Sequence, residues 1–185
     1  MKTAAVLVIS CSLHPQSRSR RLAEAAVASL RSQGAPVELV DLRDYELPFC
    51  DGDAGYSAPS VPALEEQINK ASAILLAAPV YNYDLNAAAK NLIELTGDAW
   101  EGKPVGFLCA AGGRSSYMSP MGLANNLMLD FRCWIIPRFV YATKADFAGD
   151  QVSHVIAARV EQLAATAVAI GRALEQVKSQ TASQA

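Results

Sequence analysis

No run in this 185-residue chain approaches the ~20 apolar residues of a membrane-spanning helix, and the start of the chain enters an apolar strand without the plan of a secretory leader. A cytoplasmic protein without a membrane partner is therefore expected. The basic excess of a nucleic-acid footprint is missing too, since 16 Lys and Arg stand against 18 Asp and Glu for a net charge of −2. Cys11, Cys50, Cys109 and Cys133 follow neither a C-x-x-C metal spacing nor a secreted disulfide pattern. Free, mostly buried thiols are expected, although Cys11 and Cys109 end strands where a cofactor would lie, so a redox role stands beside the structural one. With only His14 and His154 available, no Ser-His-Asp, paired-carboxylate or His-rich metal constellation can be drawn. No catalytic side chain and no metal ligand is assigned, and His154 reads as a surface residue opening the last helix.

What the chain does contain is hydrophobic: 51% of its residues, enough for one domain with a substantial core. Runs rich in Val, Ile, Leu and Ala recur at Thr3 to Ile9, Val37 to Leu42, Ala73 to Ala78, Val105 to Ala110 and Trp134 to Tyr141. They do not alternate, which is the pattern of strands buried on both faces of a parallel sheet. Helical segments separate them. Arg20 to Gln33 places Leu22, Ala26 and Leu30 on one face and stops at Gly34 and Pro36, and Ser60 caps a helix running to about Ala71 with Pro62 in its first turn. Asn86 caps Ala87 to Thr96, Ser119 and Pro120 open a helix ending near Phe131, and from Val152 a stripe of Val155, Ile156, Leu163, Ala167, Ile170, Leu174 and Val177 marks the longest helix. The domain is expected to span residues 1–177, with 178–185 a frayed tail.

Five strands alternating with five helices give an α/β, doubly wound parallel sheet with helices on both faces. The flavodoxin-like order 2-1-3-4-5 is expected, because it makes the fifth strand an edge where Pro137 deletes no needed ladder bond. Ligands of such sheets bind at the carboxyl ends of the strands beside the switch between strands 1 and 3. Three loops fall there.

The first, S-L-H-P-Q-S-R-S from Ser12 to Ser19, presents hydroxyls at a helix N-terminus, where free N–H groups and the helix dipole hold an anion. Cys11 to Arg21 has no glycine, which a dinucleotide or triphosphate loop needs for close backbone approach, so a monophosphate such as FMN is favoured. Arg18, Arg20 and Arg21 beside it fit a phosphate, though a plain capped helix start explains the loop equally well. The second loop, P-V-Y-N-Y-D, is expected to swing out over the sheet edge at Pro79 and to leave the N–H groups of Tyr81 to Tyr83 free to face a flat heterocycle. Tyr81 and Tyr83 would shield the ring or pack as an ordinary rim. In the third, A-A-G-G-R-S-S-Y, Gly112 and Gly113 admit backbone close to a ligand and Arg114 faces its anionic edge, unless the pair is a plain turn.

These residues resemble the NAD(P)H-dependent FMN reductases of the flavodoxin-like superfamily, which include quinone, azo-dye and chromate reductases. The first loop looks like the family's G-S-x-x-x-x-S-x-N/S phosphate loop, with Ser12, Ser17 and Ser19 on the phosphate, Cys11 in place of glycine and His14 where arginine is common. V-D-L-R-D-Y-E-L-P-F at Val40 to Phe49 looks like the segment after strand 2. P-V-Y-N-Y-D-L-N-A-A-A-K-N-L-I-E at Pro79 to Glu94 is similar to P-E-Y-N-x-S-x-P-x-x-L-K-N-x-I-D through Pro79, Tyr81, Asn82, Lys90 and Asn91. Val80 replaces a usual glutamate and Asn86 a usual proline.

The resemblance implies bound FMN, reduction by NAD(P)H and passage of electrons to a small-molecule acceptor in a ping-pong cycle. It also implies a homodimer, or a tetramer, with Tyr45 to Pro59 closing the site. The preference between NADPH and NADH stays open, as does release of the flavin to a partner monooxygenase; Arg18, Arg20 or Arg114 would meet a 2′-phosphate. The rival classes are a flavodoxin-type electron carrier, for which a net charge of −2 supplies little steering field, and a flavin-binding regulatory module without turnover.

Overall fold

The computed structural model describes residues 5–182. In chain order the elements are β1 (Val6–Ser10), α1 (Arg18–Ser32), β2 (Val37–Asp41), α2 (Ser60–Lys70), β3 (Ala73–Tyr81), β4 (Asp84–Leu85), α3 (Ala87–Thr96), β5 (Pro104–Ala110), α4 (Met121–Phe131), β6 (Trp134–Ile135), β7 (Val140–Ala142), β8 (Phe147–Ala148), β9 (Gln151–Val152) and α5 (His154–Ala182). The parallel sheet runs β2-β1-β3-β5, with β6 and β7 both on the outer side of β5. This is the expected order, with its fifth strand split in two. Pro137 and Arg138, whose φ is +63°, interrupt the edge between Ile135 and Val140.

β1, β5, β7 and β3 as far as Pro79 are buried on both faces as expected, whereas the edge strand β2 exposes Glu38 and Leu39 and β6 exposes Trp134, because no further strand or helix covers the edges there. Leu7, Ile9, Leu76 and Phe107 pack with α2, α3 and α4 through Leu64, Leu92 and Leu127, whereas Val6, Val8 and Leu75 pack with α1 and α5 through Leu22, Leu30 and Leu163. Gly171 lets α5 approach the start of β3 so closely that a Cβ there would sit 2.9 Å from the Ser72 carbonyl oxygen.

Several boundaries move for local reasons. Of the first expected strand, Thr3 and Ala4 lie outside the described residues, and the strand itself begins at Val6. The first helix begins at Arg18, two residues early, because extended Ser17 caps it by accepting the Arg20 N–H. Pro79 stays inside β3 rather than ending it: β1 has already stopped opposite Ala77, so the missing N–H costs that side no ladder bond, and Pro79 remains in register with Ala110. Pro59 and Pro120 occupy the cap positions of α2 and α4; Ser60 is already helical, and the Ser119 hydroxyl donates to the Ser116 carbonyl.

The last helix starts at His154, since Gln151–Val152 pairs with Phe147–Ala148 in a small hairpin, and it continues through Ala182. Its buried stripe is Ile156, Val160, Leu163, Ala164 and Ala167, while Val155 and Val177 face solvent. No helix of the described residues is long and apolar enough to cross a membrane.

Candidate functional site

The three loops come together at the carboxyl ends of β1, β3 and β5, where the strand order reverses. In the first loop the Ser12 hydroxyl is buried and accepts the His14 N–H at 3.3 Å. His14 is exposed, and its Nδ1 accepts the Gln16 N–H at 3.0 Å, so the imidazole shapes its own loop. Ser17 at the cap and Ser19 in the first turn of α1 are buried, with their hydroxyl oxygens 2.9 Å apart. Arg18 is half-buried and forms no ion pair among the described residues.

The other two arginines beside this loop are engaged. Arg21 pairs with Asp150 at 2.7 Å, and Arg20 pairs with Glu24 and Asp41. Asp41, only 5% exposed at the end of β2, also takes the fork of Arg43, with Nη2 at 2.6 Å and Nε 3.1 Å from both oxygens. Arg43 Nη1 in turn donates to the Pro15 carbonyl at 3.4 Å. One carboxylate thus fixes two guanidiniums under the hydroxyl loop. The V-D-L-R-D string does not reveal this clamp, because Arg20 on α1 and Asp41 at the end of β2 meet only in the folded chain.

The second loop is a hairpin. Val80 is opposite Leu85 and Tyr81 opposite Asp84, which leaves Asn82 and Tyr83 as a two-residue turn with φ of +49° and +71°, the pattern of a type I′ turn. Tyr81 therefore belongs to the ladder and only Asn82 and Tyr83 lie outside it, correcting the expectation that Tyr81 to Tyr83 all have N–H groups free of the sheet. A left-handed tyrosine is unfavourable by itself, and it is tied down where its hydroxyl donates to the Ser115 carbonyl of the third loop at 2.7 Å. Tyr81 and Tyr83 are exposed on the rim, Pro79 is buried and Val80 half-buried.

Asn86 holds the cap position of α3 but makes no side-chain cap bond. Its amide donates instead to the Cys11 carbonyl at 2.8 Å, joining the second loop to the first. In the third loop Gly112 and Gly113 have ordinary backbone, and a Cβ on either would meet nothing of the chain within 4 Å. Neither packing nor dihedral angle demands glycine there. Arg114 is exposed, and the Tyr141 hydroxyl donates to the Gly113 carbonyl at 2.8 Å while its ring packs edge-on against Tyr117, centroids 5.4 Å apart. Burial raises the Tyr141 phenol, which keeps its proton and remains a donor.

Cys11 and Cys109 are free and fully buried. Burial pushes the Cys109 thiol up to about 12 and the Cys11 thiol higher still, so both are protonated and unreactive near neutrality. Among the described residues two buried atoms, Ser10 Oγ and Asn86 Oδ1, have no hydrogen-bond partner. Orphaned buried oxygens are rare in folded proteins, and here both belong to residues at the switch point. With two serine hydroxyls at a helix N-terminus and a third in the loop before it, an exposed tyrosine rim and two glycines that leave open space, the donor set fits a phosphorylated flavin.

Comparison with known proteins agrees. The chain is 28% identical over 133 residues to the NAD(P)H-dependent FAD/FMN reductase of Geobacillus thermodenitrificans, covering 69% of this chain and 71% of that one. It is 27% identical over 170 residues to the NADPH:quinone oxidoreductase of Arabidopsis thaliana, covering 85% and 87%. Among solved structures, an apo NADH:FMN oxidoreductase superposes with a TM-score of 0.75 at 16% identity over 90% of this chain and 89% of that one. A flavoenzyme NAD(P)H:(acceptor) oxidoreductase of Paracoccus denitrificans does so at 0.74 and 22%, over 91% and 97%; these two show likeness of fold. The profile of the NADPH-dependent FMN reductases matches residues 4–147, a span that contains all three loops, and the chain therefore belongs to that family of oxidoreductases, with FMN as its cofactor and NAD(P)H as its reductant.

Proposed function

We propose that the chain is a ping-pong oxidoreductase that serves a small-molecule acceptor such as a free flavin, a quinone or an azo compound. The observation that carries this reading is the meeting of a hydroxyl-lined helix N-terminus with two backbone-rich loops at one switch point. Bound FMN would supply the redox chemistry, as a carrier between a nicotinamide hydride donor and the acceptor. Ser12, Ser17 and Ser19 hold the phosphate, with Arg18 adding charge and the His14 ring fixing the loop. Pro79 to Tyr83 would border a bound flavin, and Gly112, Gly113 and Arg114 would offer backbone and charge to its pyrimidine edge. Tyr83 ties the second loop to the third and Asn86 ties it to the first, so the loops are held relative to one another before a cofactor binds.

A second copy of the chain is the proposed partner, in a homodimer. The outer face of α4 supports this: Met121, Met128 and Leu129 are all exposed there, Leu129 at 75%. Apolar side chains of that exposure on one face favour burial against another subunit. A cytoplasmic location belongs to the same reading.

Anaerobic stopped-flow absorbance tests it. NADH or NADPH should bleach the oxidised flavin band of the loaded protein faster than that of free FMN, and added quinone should restore it, with parallel double-reciprocal lines in steady state. Bleaching no faster than free FMN would leave the carrier reading in its place, and intersecting lines would remove the ping-pong order.

A further inference from the structure

We propose that a second binding site, bordering the third loop only at Tyr117, lies at the open edge of the sheet and takes a small organic anion: a flat ring that carries a phosphate or sulfonate. The site is made by the break in the fifth strand. β6 ends with Ile135 in register with Val105, and β7 resumes with Val140 opposite Leu108. Between them Pro137 has no N–H to give, and Arg138 is held at a φ of +63°, a left-handed backbone that a long side chain rarely adopts. Non-glycine residues held in such conformations are found preferentially at functional sites. A cleft of about 580 Å³ opens between this break and α5, within the roughly 300–1,000 Å³ of small-molecule sites.

Its lining is one-sided in charge. Arg138 from the break and Arg159 from α5 both line it, and among the described residues neither forms an ion pair and no carboxylate lines the cleft. Arg20, Arg21, Arg43 and Arg132 have acidic partners, whereas Arg18, Arg31, Arg114 and Arg172 are, like these two, without an ion pair among the described residues; what sets Arg138 and Arg159 apart is that they line one cleft. Two unneutralised guanidiniums are matched to the oxygens of a phosphate or sulfonate, which they can meet as forks from two directions. Aromatic surface completes the recognition. Phe139, fixed edge-on against Phe107 at 5.5 Å, and Tyr117 both line the cleft and suit a flat ring, while Gln162 and Thr166 offer neutral hydrogen-bonding groups.

Tyr117 belongs to the third loop and packs on Tyr141, which holds the Gly113 carbonyl. An occupant touching Tyr117 therefore touches a wall of the flavin site, a connection that rests on the flavin reading above; the cleft itself does not. Two sources share the required chemistry: the 2′-phosphorylated adenosine end of NADPH, and an anionic aromatic acceptor.

Calorimetry on the full chain saturated with FMN decides among them, using 2′,5′-ADP and anthraquinone-2-sulfonate as ring-bearing anions and adenosine and inorganic phosphate as the ring and the anion alone. The variant pair is Arg138→Gly with Arg159→Ala: glycine accepts the left-handed backbone and alanine the helix, so the thermal midpoint should hold or rise. At least one ring-bearing anion should bind at one site per chain, at least tenfold tighter than adenosine or phosphate, and should weaken at least tenfold in the double variant. Binding of 2′,5′-ADP assigns the site to NADPH, and binding of the sulfonate assigns it to the acceptor. The proposal is overturned if neither binds, if phosphate alone binds as tightly, or if the double variant binds undiminished. Failure of the chain to take up FMN would defeat the flavin reading separately, and the same titration of the flavin-free chain would still test the cleft.

Discussion

Replacing Asp41 with Asn should do more damage than any other single-atom exchange near the hydroxyl loop. Asp41 is 5% exposed and accepts from the Arg43 backbone at 3.1 Å, from Nε and Nη2 of the same residue and from Arg20 Nη1. The exchange turns one anionic oxygen into an NH₂ that faces guanidinium donors. About two charge-assisted bonds are lost, each worth about 1.5–3 kcal/mol. Arg20 and Arg43 are 30% and 28% exposed, so water recovers part of the loss, and a net cost of about 3 kcal/mol is expected, at the low end for breaking a buried pair. For a chain of this size each kcal/mol moves Tm by about 2–4 °C, which predicts a fall of about 6–12 °C. Arg43 also reaches the Pro15 carbonyl, so FMN affinity should drop about tenfold, or about 1.4 kcal/mol. Thermal unfolding without flavin and an FMN titration measure the two effects. A Tm loss under about 3 °C would show that the clamp is solvated and stabilises little, and an unchanged FMN affinity would detach it from the loop.

Ser17→Ala with Ser19→Ala should cost about 1–3 kcal/mol of FMN binding and leave riboflavin binding nearly unchanged, because only the phosphate uses those hydroxyls. Equal loss for both ligands, read by fluorescence quenching, would return the serines to helix capping. Gly171→Ala should destabilise by about 1–3 kcal/mol although alanine is the better helix former by about 1 kcal/mol, since its Cβ meets the Ser72 backbone at 2.9 Å; a raised thermal midpoint would contradict the close approach. Stability should also fall in alkali. The Cys109 thiol sits at about 12 in the fold and near about 8.5 unfolded, so above that lower value the unfolded chain releases its proton first and unfolding gains up to about 1.4 kcal/mol per pH unit. In Cys109→Ala that decline, followed by urea unfolding from pH 8 to 11, should be shallower, and identical slopes would show the thiol is solvent-reachable.

The sequence by itself determined the parts of this molecule that rest on short-range physics. Ala73 to Ala78 could only be a strand buried on both faces, Gly34 could only end α1, and five such strands separated by helices leave few sheet orders, among which Pro137 selected an edge. The three loops at the switch point follow from that order alone. Tertiary structure decided where long-range pairing competes with local preference. Pro79 reads as a strand terminator until β1 is known to stop opposite Ala77. Asn86 reads as a helix cap, yet its amide finds the Cys11 carbonyl, whose sequence separation no local rule can register. Tyr83 is a poor residue for a left-handed turn and is retained by a bond to a loop 32 residues away. The Arg20–Asp41–Arg43 clamp and the Arg138 cleft escape a sequence reading for the same reason. Charges and cavities acquire their partners from neighbours in space, and those neighbours exist only once the sheet has brought distant segments edge to edge.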